Sequence, residues 1–134
     1  MNFFDQQEKK LLKARPIYWG DINTLPKVNG VYIIYNETIC YIGESKNIWD
    51  RFFKHHRIGN CSTFVNNLVK EYNGNKFEAQ NYLKNCYIKY IELEYGRKEL
   101  EEYLLSKYKP KYNNVGRNRE GSFYGSKTKN KRKV

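Results

Sequence analysis

Residues 30–51 read GVYIIYNETICYIGESKNIWDR. Besides Tyr35 at the start of the central turn, they hold two phenols, Tyr32 and Tyr41, and a guanidinium, Arg51; an imidazole, His55, follows four residues on. Each group has a use in acid–base chemistry at an anion. A phenol with its ordinary pKa of about 10 is a poor base, but a nearby cation or a hydrogen-bond donor lowers that value. Arginine keeps its charge at all accessible pH and presents a paired set of donors to a phosphate; its other use is a surface ion pair. Histidine relays protons near neutrality or touches phosphate. Without further context the two tyrosines would equally be cross-strand packing.

Two elements must position this set. The runs on either side of Tyr35-Asn36-Glu37-Thr38 are rich in Val, Ile and Tyr and read as a β-hairpin. A two-residue or a four-residue loop gives the same register: Tyr32 opposite Tyr41, Ile33 opposite Cys40 and Ile34 opposite Ile39. Directly opposed residues share a face, so the phenols are expected side by side, with Val31, Ile33 and Ile42 on a core-facing side. Gly43-Glu44-Ser45 then turns the chain, and Ser45 is the expected N-cap of a helix from about Lys46. Arg51 and His55, four apart, share a face of it. Ile48, Trp49, Phe52 and Phe53 form its apolar stripe, and His56 is expected to face elsewhere as a structural or exposed residue.

The order Gly30-Val31-Tyr32, Tyr41-Ile42-Gly43, Ser45, Asn47 and Arg51 resembles the signature of the GIY-YIG nuclease family, with GVY as the first tripeptide. Glu101-Glu102-Tyr103-Leu104-Leu105, leading into Lys107-Tyr108-Lys109-Pro110-Lys111-Tyr112-Asn113, is similar to that family's closing segment. The resemblance spans about residues 25 to 114. It implies a metal-dependent DNA endonuclease. Tyr32 would be the general base and Tyr41 its orienting neighbour. Arg51 would stabilise phosphate, and Glu101 would hold Mg²⁺, with Mn²⁺ an alternative. Asn113 would belong to the site, His55 would serve in proton relay or phosphate contact, and Gly30, Gly43, Ser45 and Asn47 would be structural. Glutamate is a hard oxygen donor suited to Mg²⁺ that keeps several waters, and one protein carboxylate suits one metal rather than two. Many repair-type members carry lysine directly after YIG, where this chain has Glu44.

At 134 residues the chain is expected to be one domain. Its net charge of +11 is concentrated at one end: the stretch from Lys107 onward contributes +9. Lys107, Lys109, Lys111, Arg117, Arg119, Lys127, Lys129, Lys131, Arg132 and Lys133 are therefore candidate nucleic-acid contacts, the plainer use of such a segment being solubility. Cys40, Cys61 and Cys86 are odd in number and form no Cys-x-x-Cys pair, which argues against zinc and for reduced thiols. No secretory leader or membrane-length apolar run opens or crosses the chain. A cytoplasmic or other intracellular, DNA-associated setting is expected.

The expected fold is α/β (α+β): a three-stranded antiparallel sheet flanked by helices. An N-terminal helix and lead-in would occupy 1–24, the nuclease-like domain 25–114, and a basic tail 115–134. Cys86 to Leu93 is the expected third strand, beside the hairpin. A helix from about Gly96 to Tyr108 follows, stopped by Pro110. Trp19 is expected to pack rather than to stack on a base. Two other functions fit the same residues: a basic nucleic-acid-binding module that does not cut, and a nuclease directed by a partner in repair or recombination. A homodimer is compatible with either.

Overall fold

The computed structural model describes residues 2–60 and 62–113. Helix α1 (Phe3–Leu12) starts at Asn2, whose side chain caps Asp5 N–H, and is followed by a two-residue strand β1 (Ile17–Tyr18). After a short 3₁₀ segment come the hairpin strands β2 (Gly30–Tyr35) and β3 (Ile39–Ser45). Helix α2 (Ile48–Asp50) runs straight into a π-turn over Arg51–His55. Helices α3 (Thr63–Glu71) and α4 (Lys76–Leu83), strand β4 (Tyr87–Glu92) and helix α5 (Arg97–Tyr108) complete the fold.

The sheet is antiparallel, in the order β1-β4-β2-β3. It has four strands where the sequence predicted three, because Ile17 and Tyr18 pair with Ile88 and Tyr87. Two residues are too short a run to show a strand period. Helices cover both faces. Leu11, Val31, Ile33, Ile42, Leu100 and Leu104 form the core under α1 and α5. Tyr32, Ile34, Phe52, Phe64, Leu68 and Ile88 form the larger core on the opposite face, with Trp19 packed among them. A central strand buried on both faces has no reason to alternate polar with apolar, so GVYIIY is apolar throughout. Val31, Ile33 and Ile42 lie on a core face, as expected.

The hairpin register differs from the predicted one. Tyr32 lies opposite Gly43, Ile33 opposite Ile42 and Ile34 opposite Tyr41. Two local features cause this. Tyr35 pairs with Ile39, leaving a three-residue loop, and Cys40 is an extra residue between that pair and the next. Either feature alone would turn β3 over. Together they shift it by two and return Tyr41 to the face of Tyr32.

Candidate active site

β3 is an edge strand, and the site forms along that edge. Tyr32 points from β2 into the larger core and is 1% exposed. Its ring passes directly over Gly43: a Cβ there would lie 2.4 Å from the Tyr32 hydroxyl oxygen and 2.5 Å from Cζ. Gly30 is required for a different reason, since a Cβ at that position would come within 2.1 Å of the Ile91 carbonyl oxygen of β4. Tyr41 lies beside Tyr32 with ring centroids 6.3 Å apart and planes at 29°. The phenols are therefore neighbours, although diagonal rather than directly opposed.

The partner of the Tyr32 hydroxyl is His56, with Oη 2.7 Å from Nε2. His56 Nδ1 lies 3.0 Å from Ser62 Oγ, and Ser62 also accepts from Val65 N–H at the start of α3. The chain Tyr32–His56–Ser62 closes in either imidazole tautomer. Phe52, Phe64 and Tyr41 enclose the ring at 5.1–5.5 Å. Burial lowers the His56 pKa to about 3, with the charges of Arg51 and His55 adding to the effect, so the ring is neutral. Burial pushes the Tyr32 hydroxyl well above the phenol range. Tyr41 adds to that, Arg51 opposes it, and Glu101 and Glu44 raise it further.

His56 is the residue that the sequence reading set aside. It is buried, while His55 is exposed on the pocket side of the helix. The π-turn explains part of this: His56 N–H donates to the Arg51 carbonyl at 2.9 Å, five residues back. A signal was present in the sequence nonetheless. His56 is four residues after Phe52, which is fully buried, so the two share a row. Ser45 is not the helix cap either. Asn47 caps it, accepting from Asp50 N–H at 2.9 Å, while Ser45 Oγ accepts from Asn47 N–H and braces the turn.

Arg51 lies at a concavity of about 350 Å³ that wraps the β3 edge. Glu44 and Ser45 of β3, Asp50 and His55 of the helical segment, and Arg97 and Lys98 of α5 also line it. Among the described residues, the buried Nε hydrogen of Arg51 has no acceptor. Glu44 is neutralised by Arg97, whose Nε donates to Oε1 at 3.1 Å. Glu101 follows Arg97 by one turn of α5 and is half-buried. Its charge acts on the Tyr32 hydroxyl.

Asn113 is buried and grips β3. Ile42 N–H donates to Asn113 Oδ1 at 3.0 Å, and Asn113 Nδ2 donates to the Ile42 carbonyl at 2.9 Å. Tyr112 N–H donates to the Cys40 carbonyl at 2.9 Å. The closing segment thus pairs with the open edge as a short extra strand would. Lys107 pairs with Glu8 at 2.9 Å and Lys111 with Glu71 at 3.0 Å, and Lys109 forms the left-handed cap of α5. Arg117, Arg119, Lys127, Lys129, Lys131, Arg132 and Lys133 lie outside the described residues.

No group of three or more His, Cys, Asp or Glu able to hold a metal occurs among the described residues. A closed zinc-type cage is therefore not present there. Glu101 is not among the residues that line the concavity; it is a half-buried carboxylate one turn along α5 from Arg97, and a single hard oxygen donor of this kind fits a divalent cation that keeps most of its ligands as water. No helix among the described residues is long and apolar enough to cross a membrane.

No family model matches this chain, and no curated protein does. Among solved structures it is similar to the GIY-YIG N-terminal endonuclease domain of UvrC from Thermotoga maritima. A point mutant of that domain bound to the catalytic divalent cation is 23% identical, the match covering 70% of this chain and 91% of that one with a TM-score of 0.48. The form bound to magnesium is 24% identical, covering 70% and 92%, with a TM-score of 0.45.

Proposed function

We propose that this chain is a divalent-metal-dependent endonuclease that hydrolyses phosphodiester bonds in DNA at the β3 edge. The observation that carries the reading is Arg51, whose side chain lines a concavity rich in cations, carries a buried and unpartnered Nε, and acts electrostatically on the Tyr32–His56 pair. A buried guanidinium N–H without an acceptor is costly, and a phosphate oxygen would satisfy it. The paired Glu44–Arg97 leaves Lys46, Arg51 and Lys98 as cations for the same phosphate.

Tyr32 begins as a neutral phenol. To act as a base the phenol passes its proton to the lone pair of His56 Nε2, in the tautomer with hydrogen on Nδ1, as it takes one from the attacking water. Arg51 favours the negative charge that develops on Oη. Tyr41 borders the same space and orients water. Glu101 would hold the cation, which when bound polarises the phosphoryl oxygen and stabilises the developing charge. Asn113 and Gly43 act at one remove, by fixing the strand against which Tyr32 lies. His55, exposed at the concavity, is available for phosphate contact.

The competing reading is a nucleic-acid-binding module without cleavage, and the near-complete burial of Tyr32 favours it. Nicking of supercoiled plasmid with Mg²⁺ separates the two. Wild type should nick, whereas Glu101→Ala and wild type in EDTA should not, while both still bind DNA. Full activity of Glu101→Ala would refute its role. DNA binding by a wild type that cuts neither the plasmid nor branched and single-stranded substrates would establish the binder.

A further inference from the structure

The helical segment that supplies Arg51 carries a second row of residues. Trp49, Phe53 and Arg57 are spaced four apart. The indole and phenyl rings stack at 4.5 Å with 18° between their planes. Lys27 Nζ lies 4.8 Å from the centre of the Trp49 ring, and the Arg57 guanidinium lies 5.1 Å from the centre of Phe53. The sequence reading assigned Trp49 and Phe53 to the buried stripe. The fully buried places go to Ile48 and Phe52, leaving Trp49 half-buried and Phe53 36% exposed. The core therefore accounts for only part of the pair.

The surroundings are those of a nucleotide site. Next to Phe53 and Arg57 opens a concavity of about 410 Å³, lined by apolar Trp19, Ile22 and Leu83 and by the amide side chains of Asn23 and Gln80. Aromatic faces offer stacking, amides offer donors and acceptors for a base edge, and exposed cations offer phosphate contacts. Asp50, adjacent to Trp49, is offset by Lys54 at 3.7 Å. An apolar peptide would leave both cations without a use. Paired duplex hides its base faces in the stack, so it cannot use the rings. A helix is about 10–12 Å across, so a strand with a phosphate at Arg51 needs only a short path over Lys54 to reach Phe53.

We infer that the row Lys27–Trp49–Phe53–Arg57 binds unpaired bases of a DNA strand, and that the substrate carries a single-stranded stretch beside the cut. Lys27 and Arg57, both long and exposed, give up their ring faces to bases and move to the flanking phosphates. The stacking surface stands on its own observations; its relation to the cut rests on the nuclease reading above.

The test is fluorescence anisotropy in EDTA with three labelled probes: a short single strand, an abasic strand with the same number of phosphates, and a duplex. Phe53→Ala should weaken binding of the base-bearing strand about tenfold and leave the other two within about twofold. Phe53→Leu keeps an apolar cover on the helix and should show the same selective loss. Fluorescence of Trp49 should be quenched by the base-bearing strand and not by the abasic one, and Trp49→Phe should remove that quench while retaining affinity. Equal losses on all three probes, no loss on any, or recovery by Phe53→Leu would overturn the inference. Wild-type nicking together with Phe53 variants that bind every probe normally refutes the stacking surface alone. A selective Phe53 effect in a wild type that, with Mg²⁺, cuts neither plasmid nor substrates with a single-stranded stretch refutes the nuclease reading alone.

Discussion

Acidification offers a direct test of the buried imidazole at the centre of the site. His56 is held neutral, with burial the main cause and the charges of Arg51 and His55 next, and its pKa falls to about 3. In the unfolded chain a histidine titrates near 6.5. The folded value is the depressed one, so the unfolded state binds the extra proton first as pH falls. Stability is therefore fully present above about pH 6.5 and declines as pH drops toward 3. The decline from this one group is about 1.4 kcal/mol per pH unit, or roughly 3 kcal/mol between pH 6.5 and 4.5. That is a large part of the 5–15 kcal/mol typical of a domain. The lower end of the window reaches the ordinary Glu pKa of about 4.3, so the carboxylate contribution is removed by comparison with a variant that differs only at the imidazole. Urea unfolding followed by tryptophan fluorescence at several pH values would measure the decline, with His56→Gln as the non-titrating comparison. The wild type should lose about 2–3 kcal/mol more than the variant from pH 7 to 4.5, whatever their stabilities at neutrality. Parallel curves for the two proteins would refute the claim that His56 is buried and neutral.

Three further outcomes follow. Gly43→Ala inserts a methyl group 2.4 Å from the Tyr32 hydroxyl oxygen, where a ring confined by Phe52 and His56 has no room to yield. We expect a destabilisation of about 1–3 kcal/mol from overpacking, read as a lower urea midpoint, and loss of nicking because the phenol leaves His56; wild-type behaviour in both assays would contradict the packing described. Asn113→Ala removes both bonds to the Ile42 backbone. It should cost about 1–3 kcal/mol and speed hydrogen exchange at Ile42, and unchanged exchange would show that the edge is held by other groups. Truncation after Gly121 removes Lys127, Lys129, Lys131, Arg132 and Lys133. If these five contact phosphates, the slope of log affinity against log salt should flatten by up to about 4–5. An unchanged slope would assign DNA affinity to the folded body.

The parts of the site readable in the sequence were those fixed by local period and by residue type. The hairpin and its two phenols were legible because Val, Ile and Tyr favour strands; the expected shared face held only because the bulge and the loop offset each other. The strand within Cys86 to Leu93 and the helix ending before Pro110 were legible for the same reason, since strand propensity and breakers act within a few residues. The basic C-terminal quarter and the four-residue spacing of Arg51 and His55 also needed no structure.

Tertiary structure decided the rest. A bulge at Cys40 and a three-residue loop set the register, and each is a small backbone irregularity that the side-chain pattern does not encode. The fourth strand exists only because β4 offers Ile17 and Tyr18 a partner. Tyr32 meets His56, and not His55, because the π-turn and the Phe52 row carry His56 inward. Asn113 reaches Ile42 across 71 residues of sequence, a contact that no local pattern predicts. Trp49 and Phe53 show the same limit from the other side. Apolarity marks a residue as one that water does not favour, but Ile48 and Phe52 had already filled the space beneath the helix, and only the packing could show which aromatics were left at the surface.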